Sequence, residues 1–365
     1  MKNKRILIVT SEFPPQPGGI GNHAYYLSLY LAKNGFEVSV IADQRDVDNE
    51  EEKRFDKALP FKVTRIALKR FRPFMYLNRI IKTLKAFKQA DFVIATGKFS
   101  LWNVAFCSLF FKPKTLAVIH GSEVNFKSAG LKKAVELSLK RFDTLVAVSE
   151  YTAQLVAHLD RDIHVIPNGI ELKAWDQTHI KSSSLEGSPV LTTVGRVSSR
   201  KGQLQVIKLL PELLKSFPKA HYHCIGIPTE APAFIEEAKA LGIDNRVTFH
   251  GALPDADLKA MLLATDIFVM LSTESMSGDV EGFGIAILEA NALGVPAIGS
   301  TGCGIEDAIN HGVSGFLMES HNGQLFTEHI RHILTDKETF KLQARTWAQQ
   351  HDWNHIIKQY ICHIS

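Results

Sequence analysis

The chain has 365 residues, of which 45% are hydrophobic and 22% charged, with a formal net charge of +4. That length exceeds what one hydrophobic core usually serves, so two domains are expected, and the average composition excludes a disordered or low-complexity protein. The four cysteines (Cys107, Cys224, Cys303 and Cys362) are scattered with no CxxC pair and no His/Cys ligand spacing, which argues against a disulfide framework or a zinc site and for a reducing compartment. After Met1, Lys2, Lys4 and Arg5 precede only the short apolar run 6–9, too short for a signal-peptide core or a membrane span. A cytoplasmic location is therefore expected.

Short β-rich runs at 6–10, 37–42, 92–96, 115–119, 145–148 and 164–166 alternate with stretches of helical spacing, which implies βαβ units and a parallel sheet covered on both faces. The loop after the first run holds Gly18, Gly19 and Gly21 ahead of a helical stretch reaching Lys33, and glycines before a helix N-terminus let bare amides approach an anion. Gly19-x-Gly21-x-x-Ala24 also fits a dinucleotide fingerprint, with Asp43 as a ribose ligand. That fingerprint needs a tight turn, whereas eight residues, three of them proline, separate Thr10 from Gly19.

From Lys57 to Ala90 the chain carries ten Lys/Arg and no acid. After Pro73, residues Phe74, Leu77, Ile80, Ile81, Leu84 and Phe87 share one helical face, with Arg79, Lys82 and Lys85 away from it. Such a helix can rest on an anionic membrane surface, or simply pack on a core with a solvated basic face. Nucleic acid is not expected as a partner, because no recognisable binding module accompanies the charge.

Between Pro167 and Pro189 the pattern breaks into turn and linker chemistry: Asn168-Gly169, Ser182-Ser183-Ser184 and Gly187-Ser188. It restarts with β-rich runs at 190–194, 221–227, 247–249, 267–271 and 296–299, and helices at 203–216 and 257–264. The expected organisation is one Rossmann-like domain over 1–167, a second over 168–349, and a C-terminal helix of about 350–365 packing back on the first. Ligands of open α/β sheets sit outside the carboxyl ends of the strands, so a shared cleft is the expected site.

The most specific run is Glu281-Gly282-Phe283-Gly284-Ile285-Ala286-Ile287-Leu288-Glu289. A glycine-bearing loop flows into a helix whose first amides can hold a phosphate, while Glu289 can bind vicinal hydroxyls. Glu281 and Glu289 enclose seven residues, and the run resembles the E-x7-E motif of retaining GT-B glycosyltransferases, in particular glycosyltransferase family four. Other pieces follow in the family's order: Gly18-Gly19-Ile20 with His23, His120-Gly121, Ile166-Pro167-Asn168-Gly169-Ile170, Val194-Gly195-Arg196 with Lys201-Gly202, and Gly302-Cys303-Gly304 with Glu306. Each piece alone is weak; Arg196 and Lys201 can be surface cations, and a lone histidine such as His120 is often structural. The ordered set is specific.

The resemblance implies a GT-B fold with an N-terminal acceptor domain and a C-terminal nucleotide-sugar domain. It implies that Arg196 and Lys201 bind the donor diphosphate, that Glu281 contacts donor-sugar hydroxyls with Gly282, Phe283, Gly284 and Ile285 close by, that Glu289 binds the ribose, and that His120 stands beside the reacting sugar. Gly18 and Gly19 join the donor site on the same ground. Two cations suited to a departing diphosphate make a metal or other cofactor unnecessary. Asp46-x-Asp48 and Asp255-x-Asp257 formally match a metal-binding pattern, yet the first sits in an acidic, loop-like run and the second at a helix start, where Asp caps amides. The implied activity is a retaining transfer from a UDP- or GDP-sugar, and the basic run 57–90 adds the expectation of a glycan or lipid-linked acceptor in cell-surface polysaccharide or glycolipid synthesis, met at the inner face of the membrane. The alternatives are an epimerase or dehydrogenase of similar architecture, and a sugar-nucleotide binder without catalysis.

Overall fold

The computed structural model describes residues 4–126, 128–178, 180–275 and 278–364. The chain divides into two compact units, Met1–Gly169 with Trp353–Ser365, and Ile170–Asp352.

In the first unit, strands β1 (Arg5–Thr10), β2 (Glu37–Asp43), β3 (Lys62–Ile66), β4 (Phe92–Thr96), β5 (Lys114–Ile119), β6 (Thr144–Ala147) and β7 (Ile163–Val165) form a parallel sheet in the order β3-β2-β1-β4-β5-β6-β7. Helices α1 (Gly19–Lys33), α2 (Glu50–Lys57), α3 (Arg72–Phe87), α4 (Lys98–Cys107), α5 (Ala129–Leu139) and α6 (Glu150–Gln154) supply the connections. Ile6, Leu7, Ile8 and Val9 are all buried, as a strand covered on both faces requires. The strand order reverses at β1 and β4, so the loops that follow them flank the topological switch point, where ligands of such sheets bind.

The second unit repeats the scheme with β8 (Val190–Val194), β9 (His221–Ile225), β10 (Val247–Gly251), β11 (Ile267–Met270), β12 (Ala297–Ser300) and β13 (Gly315–Met318), in the order β10-β9-β8-β11-β12-β13. Its helices are α7 (Gln203–Ser216), α8 (Ala231–Ala240), α9 (Asp255–Leu263), α10 (Ile285–Ala292), α11 (Gly323–Thr335) and α12 (Lys337–Gln350). The last helix, α13 (Trp353–Ile364), belongs to the first unit and packs on α1, with Trp353 stacked near Tyr30 and the Tyr360 hydroxyl 3.0 Å from His23 Nε2.

Two strands escape the sequence reading. β3 is an edge strand of largely half-buried residues in a basic context, and β13 is short and opens on a glycine. The acidic run after Asp48 is not a loop throughout, since α2 begins at Glu50. Asp255 and Asp257 fall in the first turn of α9 rather than at its cap, and Asp255 pairs with Lys259.

The basic helix forms from Arg72, and its inward face is only partly the expected one: Leu84 and Phe87 pack on the core, but Phe74, Leu77 and Ile81 do not. Arg79, Thr83 and Phe87 are buried, whereas Phe74, Leu77 and Ile81 are 63%, 53% and 43% exposed. Arg79 reaches the end of β2, where its Nε lies 3.0 Å from Asp43 Oδ1 and its Nη2 lies against Oδ2. A helical wheel shows which side chains share a face; which face packs is set by the neighbouring element, here a buried carboxylate that needs a cation. The same pair removes Asp43 from any ribose-binding role. Lys82 donates to the Arg65 carbonyl and Arg65 pairs with Asp56, so the cations of this segment left at the surface are Lys57, Lys62, Lys69, Arg70, Arg72, Lys85 and Lys88. Among the described residues no helix is long and apolar enough to cross a membrane.

Candidate active site

In the second unit the candidate residues gather at the carboxyl ends of β8 and β11. After Val194 the chain passes through Gly195 and the exposed Arg196 into a short 3-10 turn, Ser199–Lys201, that leads into α7. The turn is pinned from several sides: Ser272 Oγ donates to the Arg200 carbonyl at 2.5 Å, Thr273 Oγ1 to the Ser199 carbonyl at 3.1 Å, and the Ser199 amide to Glu230 at 3.0 Å. Lys201 and Arg200 are thereby held toward Glu281, whose Oε2 lies 2.6 Å from Lys201 Nζ and 2.7 Å from Arg200 Nη1. Burial alone would push this carboxyl up, but the two cations win and hold it near a pKa of about 2. Glu281 is thus ionised at any working pH; it accepts hydrogen bonds well and is a poor proton acceptor.

The backbone around Glu281 is equally constrained. The Gly304 amide donates to the Glu281 carbonyl at 2.9 Å, and a β-carbon on Gly304 would lie 1.9 Å from the Gly282 carbonyl oxygen, so only glycine allows the 302–306 turn to close on this loop. Gly284, at φ +89°, caps α10 in a conformation that disfavours other residues. Phe283 is buried, which leaves its backbone rather than its ring to face a ligand, while Gly282 and Ile285 are half-buried beside it.

Glu289 sits further along α10, and burial raises its carboxyl to about 7 against the pull of Lys201 and Lys259, with Asp255 reinforcing the rise. A folded value above the unfolded one means that the proton stabilises the fold, fully below the unfolded value of about 4.3, and that this stability is lost as pH rises through about 7. Glu289→Gln should therefore match the parent protein in thermal melts at pH 5 and exceed it at pH 8.5, by on the order of 2 kcal/mol without ligand. Equal melting temperatures at both pH values would show that the carboxyl is solvated and its charge uncosted.

In the first unit His120 follows β5, and its Nε2 lies 2.8 Å from Thr96 Oγ1 at the end of β4. Burial presses its pKa to about 3, so the imidazole is neutral at working pH. The His120 amide donates to Glu123 Oε1 at 2.5 Å, and Glu123 is wholly buried with its carboxyl pushed up to about 7. The His23 ring stands edge-on to His120 at 4.9 Å between centroids. Gly18 precedes α1 with its carbonyl accepting from the Asn22 amide, and a β-carbon there would lie 2.5 Å from a Glu12 carboxylate oxygen. Gly19 begins α1 with open space around its α-carbon.

The structure thus joins Lys201 and Glu281 directly, and His120 with His23, and leaves Arg196 exposed beside the first group. The sequence reading passed over Arg200, Glu123, Thr96 and Tyr360. Arg200 and Glu123 carried a usable signal, adjacency to Lys201 and a three-residue step from His120. Thr96 and Tyr360 carried none, because they reach the site only through sheet order and helix packing.

Comparison with known proteins gives the family of the chain. Residues 176–350 match the family described as glycosyl transferases group 1, and residues 17–174 match glycosyltransferase family 4. The chain is a GT-B glycosyltransferase of the family four type. A GDP-mannose-dependent monoacylated α-(1-6)-phosphatidylinositol monomannoside mannosyltransferase of Corynebacterium glutamicum is 26% identical over 92% of the chain and 90% of the relative. A GDP-mannose-dependent α-(1-6)-phosphatidylinositol monomannoside mannosyltransferase of Mycobacterium tuberculosis is 24% identical with the same coverage. Among solved structures, Anabaena Alr3699/HepE in complex with UDP and glucose shares the fold with a TM-score of 0.80 at 20% identity, covering 99% of both chains. The glycosyltransferase carries the Lys201–Glu281–Arg200 cluster in its second unit and the His23–His120 pair in its first.

Proposed function

We propose that this glycosyltransferase moves a hexose from a nucleoside diphosphate sugar to a glycan or lipid-linked acceptor with retention of configuration, and that it needs no metal. The observation that carries the reading is the Lys201–Glu281–Arg200 cluster at the mouth of α10. Its cations, with the exposed Arg196, meet the charge that grows on a departing diphosphate, which is the role a divalent cation plays elsewhere. Glu281, held ionised and clamped, binds donor-sugar hydroxyls and is too weak a base or nucleophile to form a covalent intermediate, in keeping with retention by front-face attack. The amides of Gly282 to Ile285 face the donor, Glu289 accepts from the ribose once ionised, and neutral His120 donates or accepts beside the reacting sugar. GDP-mannose is the favoured donor, on the strength of the corynebacterial and mycobacterial relatives.

Thermal shift with GDP-mannose, UDP-glucose and ADP-glucose at equal concentration should single out GDP-mannose, since a ligand at a hundred times its Kd adds about 2.7 kcal/mol. Turnover should persist in excess EDTA. A shift with UDP-glucose alone would overturn the donor assignment, and activity lost to EDTA and restored by Mn²⁺ the metal-free one.

The acceptor is met at the cytoplasmic face of an anionic membrane, in cell-surface polysaccharide or glycolipid synthesis. What supports this is the exposed face of α3, where Phe71, Phe74 and Leu77 stand beside the exposed cations Lys69, Arg70 and Arg72. Such cations contribute about 1 kcal/mol each near an anionic surface and are screened by salt. Co-sedimentation with vesicles should need anionic lipid and fall when these three cations become serine; equal binding to neutral vesicles counts against it.

A further inference from the structure

Between α3 and α4 lies an open cavity of about 510 Å³, within the roughly 300–1,000 Å³ of ligand sites. Its walls are the aromatic and aliphatic side chains of Tyr76, Ile80, Phe99, Trp102 and Phe106. The other two lining residues are already engaged elsewhere: Arg79 by Asp43, and Asn103, whose Nδ2 donates to Thr83 Oγ1 at 2.7 Å. Apart from the Tyr76 hydroxyl these walls offer little to a polar ligand, so the groove is suited to an apolar chain. The Trp102 Nε1 is itself buried without a hydrogen-bond partner among the described residues, so the ring presents its apolar part to the groove.

The position of the groove tells what chain it takes. Both helices start at the carboxyl edge of the sheet, and α4 begins two residues after Thr96, whose hydroxyl touches His120. Phe99 and Phe106, seven residues apart on α4, set a length of about 10 Å running away from that edge. Lys98 marks the upper end and lies over the Phe126 ring, while Arg72 opens α3 on the same edge. An apolar chain laid in the groove would carry a polar, anionic or hydroxyl-bearing head past these cations toward Thr96 and His120.

We propose that the α3–α4 groove holds the apolar chain of an amphiphilic acceptor and so delivers the acceptor's sugar-bearing head to His120. The groove distinguishes this from a general hold on the bilayer, because its wall α4 begins two residues after Thr96, whose hydroxyl touches the histidine proposed to stand beside the reacting sugar. That the ligand is an acceptor rests on the proposed glycosyl transfer, but its binding is read without turnover.

Trp102 provides the reporter, against a background of three other tryptophans. Full-length protein is titrated, below the micelle concentration, with two single-chain amphiphiles bearing the same dibrominated stearoyl chain, one with a glycoside head and one with a phosphocholine head. Bromine on a chain in the groove should quench Trp102 saturably. Trp102→Phe should abolish the saturable part, and Ile80→Trp, which fills the cavity while leaving Trp102 in place, should weaken binding tenfold or more; melting temperatures confirm that both variants fold. The glycoside should bind about tenfold tighter than the phosphocholine compound, and His120→Ala should erase that difference. Quenching unaffected by either groove variant overturns the site. Equal affinity for the two heads overturns the acceptor assignment and makes the groove a bilayer-lipid contact. Failure of every nucleotide sugar to bind, with quenching intact, would count against the donor reading and leave the groove standing.

Discussion

Replacing Lys201 by alanine is expected to lower kcat by about a hundred- to a thousandfold, the range found when one pre-placed electrostatic donor is removed from a reacting centre. Lys201 stands 2.6 Å from Glu281 at the head of α7, so one substitution takes away a cation meant for the departing diphosphate and half of the clamp on the carboxylate. Arg200 remains, 2.7 Å away, and keeps Glu281 ionised at neutral pH. The fold should therefore survive, with circular dichroism and melting temperature close to the parent. Steady-state kinetics separate the roles, because an interaction realised only in the transition state appears in kcat, whereas one made equally with bound donor appears in KM. A variant with unchanged kcat and only a raised donor KM would show that Lys201 binds the ground state and does not stabilise the leaving group. Arginine is not expected to rescue it fully, since a planar fork cannot reproduce a point charge already flanked by Arg200.

The largest expected effect on stability lies far from that cluster. Arg79→Ser should destabilise the first unit by about 3–5 kcal/mol, because it strands the buried Asp43 carboxylate without its partner. For a unit of this size that is a fall in melting temperature of about 10 °C. Arg79→Met combined with Asp43→Leu should recover most of the loss, since removing both charges also removes the desolvation penalty. The surface triple variant at Lys69, Arg70 and Arg72 should melt with the parent. These outcomes divide the basic segment into a cation that holds the fold and cations that face outward; an Arg79→Ser protein as stable as the parent would place Arg79 among the latter.

How much of this was legible beforehand differs from element to element. The parallel strands β1, β4 and β5 announce themselves as near-continuous apolar runs because both their faces are covered. Helix α7 was readable to its ends, since an apolar repeat of helical period there follows a glycine and stops before Phe217 and Pro218. The pair Glu281 and Glu289 and the order of the glycine-rich pieces carried the family in the sequence itself. Edge strand β3 was not legible, because a half-exposed strand rich in Lys and Arg has no apolar run to betray it.

The sequence by itself determined the two parallel α/β units, the order of the motifs and the membership that follows from them, because local periodicity and short spacings are properties of the chain alone. The tertiary structure decided which groups meet. Arg200 and Lys201 close on Glu281 across 80 residues because β8 and β11 are neighbours in the sheet. Tyr360 reaches His23 because the last helix packs on the first. Arg79 turns inward, against the apparent amphipathic pattern, because a carboxylate buried at the end of β2 is too costly to leave unpaired; that energy belongs to a contact 36 residues away, which no helical wheel contains.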